Sequence, residues 1–568
     1  MRVAFARLGL AAALGVPVAT IQAQLVRGDV VLHDRATRAA GVIVVITDRS
    51  GATVARTLTG DGGEFELRLP APGTFTLRAL RIGFRPTLVG PIDVAGSDTA
   101  SVHVVLSSDA VTLASITVKG DKVCRIREDS GQQVARLWEE ARKAITATQL
   151  SARGKPLTAT WYRYERDMDS LARVVRKQSV SITSAVTSRP FASDPPESLA
   201  RFGYVIDGDG EVFFRAPDAD ALLSDSFAGS HCFHVEPPRR DQMHLVGVGF
   251  RPAREREGIR DIEGTFWLDR NTAELRYLEF RFTNMIAAYT NAAAGGRVEF
   301  LRLPTGHWLV SRWYLRMPLV KARAGQSYRD AVRSEPRYFA EAIHFTGGEV
   351  TEVRRDGVLQ YKGGGTTVDV EVVSRDSLMV VAGTTVDFDG TGYLARVDSA
   401  GRARLEHLLP GRYEVRVAAL EMVEAGIPPV VRAIEVREQG IAVERFELPL
   451  SSELLLRACG PETARHAEVL VFGTVRSGRG ESVGGAVVTI GWQKFAAAGG
   501  DVLLRRDEFR DVTADEFGRW RLCGVPRDQL LTVRATVDGR KYETVQFRTA
   551  AARPLQRIVI PPLAGRAP

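Results

Sequence analysis

Four groups of side chains in this sequence have the types and spacing to do chemistry. His231, Cys232 and His234 fall within four residues and offer the nitrogen and sulfur ligands of a zinc site. On a strand, His231 and Cys232 point to opposite faces, so they do not converge on one ion, and no metal is expected. Gly480-Glu481-Ser482-Val483-Gly484 fits the Gly-x-Ser-x-Gly pattern that presents a nucleophilic serine between a strand and a helix. The residues that follow, Gly485 to Ile490, read as a strand, so Ser482 is expected in an ordinary loop. Asp207-Gly208-Asp209-Gly210-Glu211 carries carboxylates that suit calcium, but it lacks the further spaced oxygens of a calcium loop. A hairpin turn is expected there instead. Asp261 and Glu263 lie two apart on an expected strand and share a face. A glycosidase would need a second carboxylate across a cleft, and a solvated strand edge is the simpler expectation. None of the nine histidines is followed three residues later by Glu, and His-Glu-x-x-His is absent, which removes the zinc peptidase signature. No catalytic residue and no cofactor is expected.

The state of the cysteines depends on compartment. The chain opens with Met1-Arg2 and Arg7, runs apolar from Leu8 to Ile21, and continues Gln22-Ala23-Gln24. A basic start, a short apolar core and a small residue make a secretory signal over residues 1–23. The apolar run is short for a bilayer span, and no later stretch is long and apolar enough. The mature protein is expected to be exported (periplasmic, outer-membrane-associated or extracellular) without a transmembrane span. Export permits disulfides. Cys124, Cys232, Cys459 and Cys523 allow three pairings. Cys124–Cys232 and Cys459–Cys523 are expected because each stays inside one inferred domain; the alternative is four separate buried thiols.

The elements that carry these residues are mostly strands. In residues 25–108, Phe65, Leu67 and Leu69 alternate with Glu64, Glu66 and Arg68, and Phe75, Leu77 and Ala79 alternate after Pro72-Gly73. Asp61-Gly62-Gly63 turns the chain between strands. The pattern returns at Asp398–Gly401 with Tyr413, Val415 and Val417, and at Asp515–Gly518 with Trp520, Leu522, Leu531 and Val533. In the first copy the Asp-to-Gly spacing is one shorter. Short alternating strands at this spacing argue for β-sandwiches. Between the copies, Val134, Leu137, Trp138, Ala141 and Ile145 share one helical face, which predicts a helix over 130–147 that Ser130 can cap. Expected strands at 160–166, 202–206, 212–215, 245–250, 264–269, 274–283, 298–303 and 308–317 follow. One helix and an antiparallel meander give an α+β half-barrel. The 568 residues carry 76 basic and 68 acidic side chains, a net charge of +8, with no basic run interleaved with aromatics. No nucleic-acid partner is expected.

Gly28-x-Val30, Asp61–Gly63 with Phe65 and Leu67, Pro72-Gly73-x-Phe75 and Ile82-Gly83-Phe84 resemble the carboxypeptidase regulatory-like domain. Gly473-x-Val475, Gly485-Ala486-x-Val488, Asp515-x-x-Gly518-x-Trp520 and Cys523-Gly524-Val525-Pro526 are similar; the copy near 366–450 is a weaker match. The resemblance implies a seven-stranded transthyretin-like sandwich without catalytic residues. The segment 111–120 is similar to the exit of such domains in TonB-dependent receptors, but the stretch before the next sandwich is too short for the receptor barrel. Gly264–Asp269 and Glu274–Phe280 resemble strands of lipoprotein-carrier (LolA/LolB-like) sheets, which implies a concave face able to hold acyl chains. Residues 216–225 with His231-Cys232-Phe233 resemble exported proteins that carry regulatory-like domains and have no assigned activity.

The expected fold is mainly β: several Ig- or transthyretin-like sandwiches flanking a central α+β antiparallel meander. The expected limits are a signal peptide over 1–23, a sandwich over 24–108, a linker over 109–123, the central domain over 124–362, a weak sandwich repeat over 363–451 and a C-terminal sandwich over 452–568. The expected role is non-catalytic binding, adhesion or scaffolding at the cell envelope, with an envelope protein, polysaccharide or lipid as partner. Exposed sandwich loops would carry the specificity. The alternatives are a periplasmic carrier of lipid or apolar ligand, and a hydrolase whose site lies within 124–362.

Overall fold

Most strands of the N-terminal segment turn one apolar face into a shared core that two small sheets close over, while Ile43–Thr47 is buried on both faces. The computed structural model describes residues 24–561 apart from 97–98, 112, 114–127, 154–156, 188–190, 209–210, 324–336, 364–365, 377–379, 439, 466–467 and 498–502. Gln24–Val31 lies between Glu64–Leu69, to which it is antiparallel, and Thr99–Val105, to which it is parallel. The facing sheet has the order Thr53–Leu58, Ile43–Thr47, Gly73–Leu80, Thr87–Val94. Phe65, Leu67 and Leu69 are buried while Glu64, Glu66 and Arg68 are exposed, so the period of two in the sequence is the inside and outside of the sandwich.

The same topology recurs twice. Thr366–Ser374 lies antiparallel to Arg402–Leu408 and parallel to Ile441–Leu448. Val469–Thr474 lies antiparallel to Arg519–Val525 and parallel to Leu555–Arg557. One turn recurs with it. Gly63, Gly401 and Gly518 have φ of 77°, 79° and 71°, and their carbonyls accept from the amides of Val30, Val372 and Val475, each at 2.8 Å. A Cβ at these three positions would stand 2.5, 2.5 and 2.6 Å from the carbonyl oxygens of the same valines, so only glycine fits. Asp398 Oδ1 accepts from the amides of Ala400 and Arg402, both at 2.8 Å. Asp515 Oδ1 accepts from those of Phe517 and Arg519, both at 2.9 Å. In the first copy the equivalent position is Gly60, not Asp61. Its amide donates to Glu64 O at 2.8 Å, as that of Asp398 donates to Arg402 O at 2.8 Å. The spacing is therefore equal in all three copies, and the shorter Asp61–Gly63 spacing is a register error of the sequence comparison.

Between the first two sandwiches lies a ten-stranded antiparallel sheet. Its order is His231–Glu236, Leu245–Pro252, Ile262–Asp269, Leu275–Phe282, Gly295–Arg302, Trp308–Arg323, Arg337–Arg355, Leu157–Asp169, Val175–Thr187, with Val358–Lys362 also paired to Arg337–Arg355. The early hairpin 157–187 thus sits beside the last long strand rather than opening a simple meander. The long helix Glu128–Arg153 covers one face. Leu137, Ala141, Ala144 and Ile145 are fully buried in one core with Phe250, Phe266, Leu268 and Leu278. Trp138 packs on Phe233 and Phe266, with ring centroids 4.4 and 5.5 Å apart. The helix begins at Glu128, so Ser130 lies inside it and not at its cap.

The modules dock on one another through specific contacts. The far side of the long helix meets the N-terminal sandwich. There buried Lys143 donates to the carbonyls of Arg81 and Phe84 at 3.2 and 2.9 Å and pairs with buried Glu140 at 2.6 Å. Glu140 in turn accepts from the Gly83 amide at 2.9 Å. The second sandwich holds the hairpin 157–187: the Arg412 amide donates to Arg173 O at 3.0 Å and the Gln178 amide to Gly390 O at 2.8 Å. Met168 and Val175 of that hairpin belong to the core of the second sandwich. Leu454 and Leu455, on the helical segment Ser451–Arg465, share that core with Leu470 and Phe472 of the third sandwich. A disulfide joins Cys459 to Cys523 with Cα atoms 5.6 Å apart. Cys232 is also disulfide-bonded; Cys124, its expected partner, lies outside the described residues, as does the expected signal over 1–23. No described helix is long and apolar enough to cross a membrane.

Candidate functional site: a charged and aromatic cleft on the open face of the central sheet

The face of the sheet opposite the helix is built by the alternate residues of the same strands. Where Leu278, Val298 and Trp313 point to the helix, Glu279, Arg297 and Tyr314 point away. Antiparallel register sets these outward residues in rows. One row crosses the sheet as Glu279, Arg297, Tyr314, Gly347, Tyr164. The next reads Tyr277, Glu299, Arg312, Glu349, Tyr162. Opposite charges therefore stand beside each other on neighbouring strands. Arg297 pairs with Glu279 at 3.3 Å and Glu299 at 2.9 Å. Arg312 pairs with Glu349 at 3.0 Å and reaches Glu438 of the second sandwich at 3.3 Å. Tyr162 donates to Glu349 at 2.6 Å. Arg297 also lies over the Tyr277 ring, 3.7 Å from its centroid, and Arg239 over Trp267 at 4.9 Å.

Burial and charge fix the protonation of this face. Burial, and then the neighbouring Glu349 carboxylate, push the Tyr162 hydroxyl far above its usual range, so it keeps its proton and donates it to Glu349. Burial likewise raises Tyr164 and Tyr314. Burial alone would lower Arg312, but Glu349, Glu299 and Glu438 outweigh it and raise it.

The edge of the second sandwich turns this face into a cleft of about 870 Å³. One wall is the sheet, with Tyr164, Arg166, Tyr314 and Phe345; the other is the turn Leu409–Arg412 and residues 435–438. Arg166 bridges the two. It is 6% exposed, donates through Nη2 to Pro410 O at 2.8 Å, and its Nε has no hydrogen-bond partner among the described residues. Gly411, at φ 150°, makes room for it: a Cβ there would lie 2.7 Å from Arg166 Nη2. A second groove of about 840 Å³ continues along the same face past Tyr314 to Trp267, His234 and Arg239. No sequence motif marked these residues, because the rows exist only once the register is set.

The geometry of the first module agrees with a sequence match. Residues 26–107 match the carboxypeptidase regulatory-like domain. No curated protein matches the sequence. Similar solved structures include the Bacillus anthracis TIE protein at 12% identity and a TM-score of 0.16, covering 62% of this chain and 64% of that one, so the chain spans under two thirds of it. A streptococcal ancillary pilin aligns at 12% identity and a TM-score of 0.14 over 43% of this chain and 90% of its own. The shaft pilin SpaA of Lactobacillus rhamnosus GG aligns at 12% and 0.14 over 36% and 99%. The fold assignment rests on the sheets themselves and on the regulatory-like domain. Nothing in the comparisons supports the likeness to lipoprotein carriers, and the apolar face that a carrier would use is closed by the long helix.

His231 faces inward, stacked on Phe227 with centroids 4.2 Å apart; His234 faces outward, 2.8 Å from Glu236. No group of three or more His, Cys, Asp or Glu is close enough to hold a metal among the described residues. Asp261 and Glu263 do not share a face. Asp261 precedes the strand and turns inward to Arg256 at 2.9 Å, whereas Glu263 lines the outer groove. Val205–Gly208 and Glu211–Phe214 pair as a hairpin, with 209–210 outside the described residues. Ser482 is exposed in a loop before the strand Val487–Ala497. One grouping was missed: Ser230 Oγ stands 3.0 Å from His231 Nδ1, and His231 Nε2 stands 3.4 Å from Asp261, beside a cavity of about 190 Å³. The composition is that of a hydrolase triad, but the geometry is not. Nδ1 faces Phe227 O at 2.9 Å and Nε2 faces Ile262 O at 3.2 Å. Ser230 Oγ also has Phe227 O as an acceptor, at 3.3 Å, so a backbone carbonyl competes with the ring for the hydroxyl proton.

Proposed function

We propose that this is an exported, non-catalytic binding protein of the cell envelope whose ligand site is the cleft between the central sheet and the second sandwich. The carrying observation is that both walls are fixed: the sandwich is joined to the hairpin 157–187 by backbone hydrogen bonds and a shared core. A cleft of this size with few mobile parts suits capture of a ligand. The sandwiches then act as spacers and supports, with limits at 24–108, 363–451 and 452–568, a linker at 109–123 and the central domain at 124–362. The secretory signal read in residues 1–23 supports export.

The test is a binding panel of glycans and peptides on the mature protein and on Arg437→Glu, a charge reversal at an exposed position of the second wall. The variant is expected to keep its circular dichroism and lose cleft binding; equal binding by both proteins contradicts the site. For the hydrolase alternative, no turnover of ester, amide or glycoside probes is expected. Turnover abolished by Ser230→Ala would overturn the non-catalytic reading.

A further inference from the structure

Six arginines and five carboxylates line the cleft, but not all of them pair with one another; Glu435 stands opposite Arg412 on the neighbouring strand without an ion pair among the described residues. Arg297 and Arg312 each have carboxylate partners. Asp169 accepts from the amides of Arg173 and Val174 at 2.5 and 2.9 Å. Four other arginines, Arg166, Arg173, Arg412 and Arg437, line the cleft and form no ion pair among the described residues. Three of them are exposed at the mouth. Arg166 is the informative one, since a guanidinium buried this deeply is costly unless its donors meet acceptors. Among the described residues one carbonyl meets it and Nε has no partner. A carboxylate bound beside Pro410 would complete the fork. The aromatic residues Tyr164, Tyr314 and Phe345 line the same wall. Phe345 meets Tyr314 edge to face at 5.9 Å and lies under Arg316 at 5.6 Å, which gives an aromatic wall with a cation beside it.

Resting on the cleft reading above, we infer that the ligand is an acidic oligosaccharide, a chain of sugar rings that bear carboxylates. The aromatic wall gives the sugar rings apolar contact, Arg166 takes one carboxylate at the floor, and Arg412, Arg437 and Arg173 meet the next ones at the mouth. Several unpaired arginines around one cleft fit a polymer with a charge on each unit better than a single anion.

The experiment is isothermal titration of the full mature chain with oligogalacturonates, with neutral cello-oligosaccharides and with poly-glutamate. Oligogalacturonates are expected to bind, more weakly as NaCl is raised. Arg166→Gln is expected to weaken them by about tenfold or more, the size of one charge-assisted hydrogen bond. Arg412→Ala, at an exposed position, gives the same direction without risk to the core. Neutral oligosaccharides that bind as well, unaffected by either variant, would overturn the acidic class and leave the cleft reading standing. Poly-glutamate that binds more tightly than the uronates would overturn the sugar. No binding by any of the three would count against the inference; loss of all ligands in the wider panel would count against the cleft as well.

Discussion

At the scale of single residues, the molecule separates charges that hold it together from charges left for something else. Asp261 belongs to the first kind. Burial would raise its pKa, but His231, the Ile262 amide and Arg256 outweigh it and hold the carboxyl below its ordinary value of 3.8. A carboxyl whose folded pKa is depressed stabilises the fold above its unfolded pKa and loses that contribution as pH falls through the folded one. Asp261→Asn is therefore expected to lower the thermal midpoint clearly at pH 7, and the gap from wild type is expected to close below about pH 4. A gap independent of pH, measured by calorimetry, would contradict the ion pair. Arg166 belongs to the second kind, since its burial is matched by no carboxylate of the described chain.

At the scale of elements, the long helix has two buried faces of different chemistry. The sheet-facing one was legible: Leu137, Ala141 and Ile145 recur at helical spacing, and all are fully buried. The other one was not, because Glu140 and Lys143 read as solvated residues yet are each 2% exposed beneath the N-terminal sandwich. Burial raises the pKa of Glu140 and Lys143 opposes that shift. Glu140→Gln leaves a buried ammonium without its counter-charge and is expected to cost about 3–5 kcal/mol in urea unfolding. The double variant Glu140→Gln, Lys143→Met should recover much of that; an additive loss would show that the two do not act as a pair. Long strands were also missed, for a different reason. Arg337–Arg355 contains Gly347-Gly348, which reads as a turn, whereas here each glycine leaves space for a ring: a Cβ would meet the Tyr164 side chain at 2.6 Å or the Trp313 ring at 2.4 Å. Most strands of the first sandwich were legible because one face is wet and one dry, and Ile43–Thr47 because its apolar run is unbroken. The turn register of the first copy was not, since Gly60 lacks the side chain that identifies its counterparts Asp398 and Asp515.

At the scale of the whole molecule, two sandwiches of one topology brace a single large sheet, a third of the same topology packs on the second, and one face of the sheet is left open. Its site could not be read in advance. Glu279, Arg297, Tyr314 and Tyr164 come from four strands and become neighbours only through antiparallel register, and each alone has the polar, alternating look of any solvated strand face. The second wall depends on a module whose sequence match was the weakest of the three. The sequence pointed to the sandwich loops as the binding surface; the packed modules point to the cleft. Amide hydrogen exchange on the full mature chain, with and without a bound oligogalacturonate or other ligand from the panel, separates these directly. Protection is expected in 162–166, 312–314, 409–412 and 435–438 together, on both walls at once. Protection confined to the outer sandwich loops, such as 34–38 and 476–482, would contradict the account.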